Sequence, residues 1–306
     1  MTKYFLGIDG GGSNCRARLR DAEGRLLGEG MSGSANIRLG LDLVWGHILE
    51  ATDQALAQAG LRRDAFAHTS IGLGLAGITT AEDAARTIAA GPRFAFAAAG
   101  TDAHAAVLGA FSGRDGAILI TGTGSAGYAW VKGKGHAVGG WGFEVSDDGS
   151  AAVLGREATR VALHAYDGLA PRSAFTDAVM ARFNDQPSQV VAWATTARPK
   201  DYGTLAPLIL SHAQDGDAVA VALIEQAARD LGRYIRRLNE LGAAQVCLVG
   251  GMAGVLTPWL APWTRPLLAT PEQDAIEGAL LMAKGAGNGL SRLMPTAEDA
   301  DSIRPL

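Results

Sequence analysis

Cysteine is almost missing from this chain. Only Cys15 and Cys247 occur among 306 residues, each inside a segment that reads as a strand. That pattern argues against a disulfide framework and against a cysteine metal site. The six histidines show no metal-like spacing. No apolar run approaches the roughly 18 residues of a membrane helix. One Lys followed by a short apolar run is too little for a signal peptide. The expectation is a cytoplasmic protein without a membrane partner. There is also no run of Lys or Arg, and the net charge is −4, so no nucleic-acid footprint is expected. Glycine is in surplus: 41 residues, above the average share of about 7%, which suits several backbone-lined loops. The length allows two domains of roughly 100–200 residues each.

The most informative stretch is Phe5 to Ser13, where an apolar run ends in Asp9 and then Gly10, Gly11, Gly12 and Ser13. Cys15, Ala17 and Leu19 then alternate with Arg16, Arg18 and Arg20, the period of a half-buried strand whose arginines read as a solvated face. Glycines let backbone amides approach a ligand, and successive amides in such a turn form an anion-binding concavity. Asp9 at the strand end is placed to orient a divalent cation through water. A tight hairpin without a ligand fits the same residues.

A third strand is expected over 25–31, then a helix over 43–59 stopped by Gly60, and a buried strand over 70–76. A helix capped by Thr80, a strand over 94–98 and a helix opened by Thr101-Asp102 follow. The pattern then restarts. Ala117 to Ile120 leads into Thr121-Gly122-Thr123-Gly124-Ser125, and further strands follow. Helices are expected over 150–166, 172–183, 203–214 and 217–241, a strand over 245–249 ending in Gly250-Gly251, and a last helix over 272–284. Two strand–glycine turn–strand units indicate an internal duplication, with domains at 1–114 and 115–290 and a tail packed back on the first.

These two turns, with Gly139-Gly140-Trp141-Gly142, Asp147-Asp148-Gly149-Ser150 and Val249-Gly250-Gly251 in order, resemble the BadF/BadG-type ATPase family, in its N-acetylglucosamine kinase branch. The resemblance runs from Gly7 to about Ala283. It implies an α/β fold of two duplicated actin- or RNase H-like ATPase domains with the active-site cleft between them. It also implies ATP with Mg2+, a small amino-sugar substrate phosphorylated on its 6-hydroxyl, and a homodimer. Gly10, Gly11, Gly12 and Ser13 would hold phosphates from one side and Thr121, Gly122, Thr123, Gly124 and Ser125 from the other. Gly250, Gly251 and Met252 would lie against the adenosine. His212 stands near a position where the family often has glycine.

Phosphoryl transfer to an alcohol needs a base, cations on the phosphates and strict alignment. Asp102 follows a buried strand at the mouth of a helix, and the resemblance makes it the base; read from sequence alone, it equally serves as a helix cap. Asn36 lies in a polar loop and can both donate and accept, so it suits sugar hydroxyls or a turn. Trp141, between glycines, suits a sugar ring packed on its indole or a place in the core. The resemblance makes Asp147 the sugar-binding acid, with Gly140 beside it, while Asp148 complements a helix dipole. His104 is either packed or catalytic.

Beside a non-catalytic sugar sensor on the same fold, which Asp9, both glycine turns and Asp102 count against, two rivals remain at this level. A glucosamine kinase is the first. An iron–sulfur activator ATPase is the second, but it needs exposed cysteine ligands, and neither Cys15 nor Cys247 lies in a loop.

Overall fold

The computed structural model describes residues 2–285, so the tail assigned to 291–306 lies outside the described residues. Two compact units emerge. Among the described residues, the first holds 2–118, Tyr128–His136 and 270–285; the second holds Leu119–Gly127 and Ala137–Ala269.

The first unit begins with β1 (Tyr4–Gly10), β2 (Cys15–Asp21) and β3 (Leu26–Ser32). Helix α1 (Leu41–Gln58), β4 (Thr69–Leu75), α2 (Ala81–Ala90), β5 (Phe96–Thr101) and α3 (Asp102–Ala110) follow. The sheet order is β3-β2-β1-β4-β5. β1 runs antiparallel to β2 and parallel to β4, so Asp9 stands beside both Arg16 and Gly74. Strand β4 is buried along its whole length, as a strand covered on both faces should be. The fifth strand starts two residues later than the sequence suggests. Phe94 packs on Phe66 with ring centroids 4.3 Å apart, and pairing continues instead to Thr101 opposite Leu75.

The chain goes on through β6 (Gly116–Thr121), β7 (Ser125–Val131), β8 (Lys134–Gly139) and α4 (Ala151–Tyr166). Then come α5 (Ala174–Ala181), α6 (Pro187–Ala194), α7 (Pro199–Gly203), α8 (Ala206–Gln214) and α9 (Ala218–Glu240). It closes with β9 (Val246–Val249), α10 (Ala253–Leu256), β10 (Leu268–Ala269) and α11 (Ala275–Ala283). The second sheet reads β10-β9-β6-β7-β8. From its other end, β8-β7-β6-β9-β10 repeats the strand order of the first sheet, as the duplication requires. The short helices α6 and α7, each opened by proline, are additions to the sequence reading.

The last helix, counted with residues 115–290 in the sequence reading, packs on β1, β4 and α3 of the first unit. Glycines make this possible: a Cβ on Gly72 would strike the Ala279 carbonyl oxygen, and one on Gly278 would strike that of Ala105. The return of α11 also changes the reading of the strand arginines. Arg18 binds Glu29 at 2.7 Å, Glu277 at 2.8 Å and Asp274 at 3.1 Å, and Arg20 pairs with Glu277. Their face is therefore covered by acids from the far end of the chain, not solvated.

Helix α1 lies equally close to the edge strand β3, because a side chain on Gly28 or Gly30 would meet the carbonyl oxygens of Ala55 or Ala51. Gln54 then accepts from Met31 N–H and donates to Met31 O, both at 3.0 Å. Gln58 does the same at Glu29, at 3.2 and 2.6 Å. Among the described residues no helix is long and apolar enough to cross a membrane.

Candidate active site

The first unit carries the turn between β1 and β2. Gly11 N–H donates to Asn14 O at 2.9 Å, closing a tight loop in which Gly12, Ser13 and Asn14 are exposed. Gly10 is glycine for packing, since a Cβ would strike Leu75 and Ala35. At Gly12 a Cβ would meet nothing within 4 Å, and φ is not positive. Internal structure therefore has no need of glycine there. A bare backbone at an open turn is what close approach by an anion requires.

Asp9 closes β1 beside this turn. Arg16, directly across the ladder, donates to Asp9 Oδ2 at 2.6 and 3.2 Å. Arg16 is thus a residue that alternation alone did not single out: the period gives its face, but not the carboxylate opposite. Asp102 opens α3. Thr101, and not Asp102, is the N-cap, accepting from His104 N–H at 2.8 Å, while Asp102 Oδ1 accepts from Ala103 N–H at 2.8 Å. Burial, aided by the negative charge of Asp9, holds the Asp102 carboxyl above the usual carboxylate range, against the pull of the Ala103 N–H. Asp102 and Asp9 therefore share one electrostatic neighbourhood.

Asn36 caps a short turn of helix, its Oδ1 accepting from Arg38 N–H at 3.0 Å. Gly77, at φ +86°, leaves room for that oxygen. With one lone pair of Oδ1 given to the cap, the Asn36 amide nitrogen has no hydrogen-bond acceptor shown among the described residues and can donate.

On the second unit, the turn between β6 and β7 is bonded from behind. Ala151 N–H donates to Gly122 O at 2.8 Å, Ala152 N–H to Thr123 O at 3.2 Å, and Met252 N–H to Thr121 O at 3.0 Å. The hydroxyls at both ends point inward, Thr121 to Gly149 O at 3.1 Å and Ser125 to Asp148 O at 2.8 Å. Both residues are buried, whereas Thr123 is exposed. Of the five residues expected to hold phosphate, Thr123 is exposed, Gly122 and Gly124 are half-buried, and the end hydroxyls turn inward.

Gly250, at φ +101°, lies so close that a Cβ would strike Thr121 O, and Gly251 has open space around it. Helix α10 follows at once, and beside it is a cavity of about 570 Å³ lined by Leu210, Gln214, Gly254, Val255, Pro258 and Trp259. Its apolar wall and single amide suit a flat heteroaromatic base. Leu210 and Gln214 stand one turn apart on α8. His212, between them, stacks instead toward Phe175 with centroids 5.7 Å apart. Met252 is buried and ties the turn to Thr121.

Trp141 is 78% exposed, so it is no core residue. Gly140 and Gly142 carry it on left-handed backbone at φ +73° and +102°. Asp147, itself at φ +65°, accepts from the backbone N–H groups of Ser125 and Gly142, tying the Trp141 loop to the glycine turn. Its Oδ2 would lie 2.6 Å from a Cβ on Gly124, which explains that glycine. Burial, with Glu144 and Asp148 nearby, still raises the Asp147 carboxyl above its ordinary value. Asp148 lies 3.6 Å from Arg233. Among the described residues no cluster of three or more metal-binding side chains occurs. Asp9 alone beside a phosphate turn suits a cation whose other ligands are phosphate and water.

Comparison with known proteins gives the family and the fold. The family model for BadF/BadG/BcrA/BcrD ATPases matches residues 6–283. The chain is 42% identical over 280 residues to glucosamine kinase GspK of Vibrio cholerae, covering 92% of this chain and 95% of that one. A Chromobacterium violaceum structure, provisionally named an N-acetylglucosamine kinase, is 35% identical with a TM-score of 0.79, covering 92% of this chain and 99% of that one. A ROK hexokinase from Thermus thermophilus, 20% identical with a TM-score of 0.55 over 91% of this chain and 97% of that one, shares the fold. The two five-stranded sheets match the actin- and hexokinase-like ATPase fold, and the chain belongs to the BadF/BadG/BcrA/BcrD ATPase family.

Proposed function

We propose that this protein is an ATP-dependent amino-sugar kinase that phosphorylates the 6-hydroxyl of glucosamine. The observation that carries the reading is Asp102, a carboxylate at a helix mouth whose pKa is raised by burial and by Asp9 beside the phosphate turn. Such a group accepts the hydroxyl proton as the alcohol oxygen attacks the γ-phosphorus. The 42% identity over 92% of the chain favours glucosamine as acceptor.

The phosphates of MgATP are held by backbone amides at Gly12 and Ser13 and at Thr123 and Gly124, since the Gly11 N–H is given to Asn14 O and the Gly122 N–H to Gly124 O. The adenine occupies the cavity at α10, between Leu210 and Trp259. Asp9 would hold a magnesium ion through water, and the ion would neutralise phosphate charge. Asn36 donates to a sugar hydroxyl, the Trp141 indole offers an apolar face to the ring, and Asp147 accepts from a hydroxyl or from the sugar ammonium. N-acetylglucosamine is the second reading, supported by the 35% identical structure with that provisional name.

The test is ADP release with MgATP and glucosamine, N-acetylglucosamine, N-acetylmannosamine, glucose or no sugar. Highest kcat/KM on glucosamine supports the first reading, and highest on N-acetylglucosamine the second. Asp102→Asn is expected to lower kcat about 10²–10⁴-fold with little change in sugar KM. Turnover without sugar that survives this change would overturn the kinase reading.

A further inference from the structure

One buried polar group has no place in that scheme. His104, two residues after Asp102, is fully buried, and its Nδ1 is joined to Tyr128 Oη at 3.1 Å. Its ring meets Trp130 edge-on with centroids 4.5 Å apart and Tyr128 at 5.9 Å. Among the described residues its Nε2 has no hydrogen-bond partner. The hydroxyl on the other side is also fitted closely, because a Cβ on Gly135 would strike Tyr128 Oη.

A leucine facing a phenylalanine would fill this space without stranding a nitrogen. An unpaired buried polar atom carries its desolvation cost, so packing alone gives no reason for the pair. What the pair provides is direction. Among the described residues the Asp102 side chain is hydrogen-bonded by its own helix alone, through Ala103 N–H, and Thr101 caps the same turn. Within 102–105, His104 is the one side chain that hydrogen-bonds another strand or helix among the described residues. Ala105 packs against Gly74 of β4 with no room for a Cβ there, and its carbonyl oxygen lies against Gly278 of α11; these contacts seat the turn by shape, without a hydrogen bond to set its rotation. A directional bond from the third residue of α3 to β7 fixes that rotation.

We propose that His104 and Tyr128 form a positioning pair that sets the first turn of α3, and with it the carboxylate of Asp102, at the angle proton acceptance requires. The pair rests on the reading of Asp102 as the base. Neither residue touches substrate. Losing the bond lets the turn rotate, which costs alignment in the transition state more than binding in the ground state.

The experiment measures kcat and both KM values for His104→Leu, His104→Asn, Tyr128→Phe, the His104→Leu/Tyr128→Phe double variant and Asp102→Asn, each checked by circular dichroism. His104→Leu and Tyr128→Phe are each expected to lower kcat about 10–30-fold, with KM for sugar and ATP changed by less than about threefold. The double variant should fall no further, because both changes remove one shared bond. His104→Asn, which keeps a nitrogen near the Nδ1 position, should recover kcat to within about threefold of the parent. Parental kcat in a folded Tyr128→Phe, additive losses in the double variant, or no recovery in His104→Asn would overturn the pair. If Asp102→Asn stays active, the base assignment fails instead, and that result is read independently of the others.

Discussion

Burial should make His104 a source of acid sensitivity. It drives the imidazole pKa from 6.5 down to about 4, so the native state stays neutral at this site while the unfolded chain still binds a proton. Between those two values the unfolded state holds more protons, and stability must fall as pH falls. The contribution is nearly nil at pH 7. By linkage, the loss reaches about 2 kcal/mol at pH 5 and about 3 kcal/mol at pH 4, where native protonation begins to limit it. His104→Asn removes the titrating group and leaves the other acids and bases in place. Urea unfolding of parent and variant at pH 7, 6, 5 and 4.5, followed by tryptophan fluorescence, isolates the effect as a difference of differences. The parent should lose ground to the variant by about 2 kcal/mol on going from pH 7 to 5. The histidine Cε1–H resonance of the folded parent should show no titration down to pH 5. Parallel stability profiles, or a folded-state midpoint near 6.5, would refute the reasoning.

Other parts of the structure make further demands. Arg16→Leu should leave melting nearly unchanged, because a half-exposed pair contributes about 0–1 kcal/mol. It should nevertheless lower kcat/KM for ATP about tenfold, since Asp9 loses the partner that orients it; steady-state kinetics at varied MgATP would show this. Gly72→Ala drives a methyl group into the backbone of α11 and should destabilise by about 1–3 kcal/mol or more, read as a lowered thermal midpoint. Gly250→Ala combines a left-handed φ of +101° with a collision on Thr121 O. It should weaken nucleotide binding at least about tenfold while sugar affinity is kept, as isothermal titration with ADP would measure.

The parts legible in the sequence are those encoded locally. A strand ending in glycines and a hydroxyl residue announces its turn wherever it occurs, so both glycine turns and the duplicated strand order could be read directly. Asp102 at a helix mouth and Trp141 between glycines were visible for the same reason. What escaped depends on residues far apart in the chain. Asp274 and Glu277 reach Arg18 and Arg20 only because α11 returns to the first sheet, and no period within β2 reports that. Alternation assigned Arg16 to a face without revealing that Asp9 occupies the same face across the ladder. The inward hydroxyls of Thr121 and Ser125 depend on the segment that arrives with Asp148 and Gly149, which the resemblance that names both as phosphate-holding residues does not report. Leu210 and Gln214 carry no motif at all; only the packing of α8 beside α10 gives them a cavity to line.

The two glutamines of α1 have a consequence for behaviour in concentrated solution. An outermost strand normally offers a row of free amides and carbonyls on which a strand from another molecule can grow. On β3 the outward groups of Glu29 and Met31 are already answered by Gln58 and Gln54. A recruited strand would have to displace four hydrogen bonds and push past a helix seated against Gly28 and Gly30. Fibril-like growth from this side of the molecule is closed off by two side chains whose amides imitate the next strand.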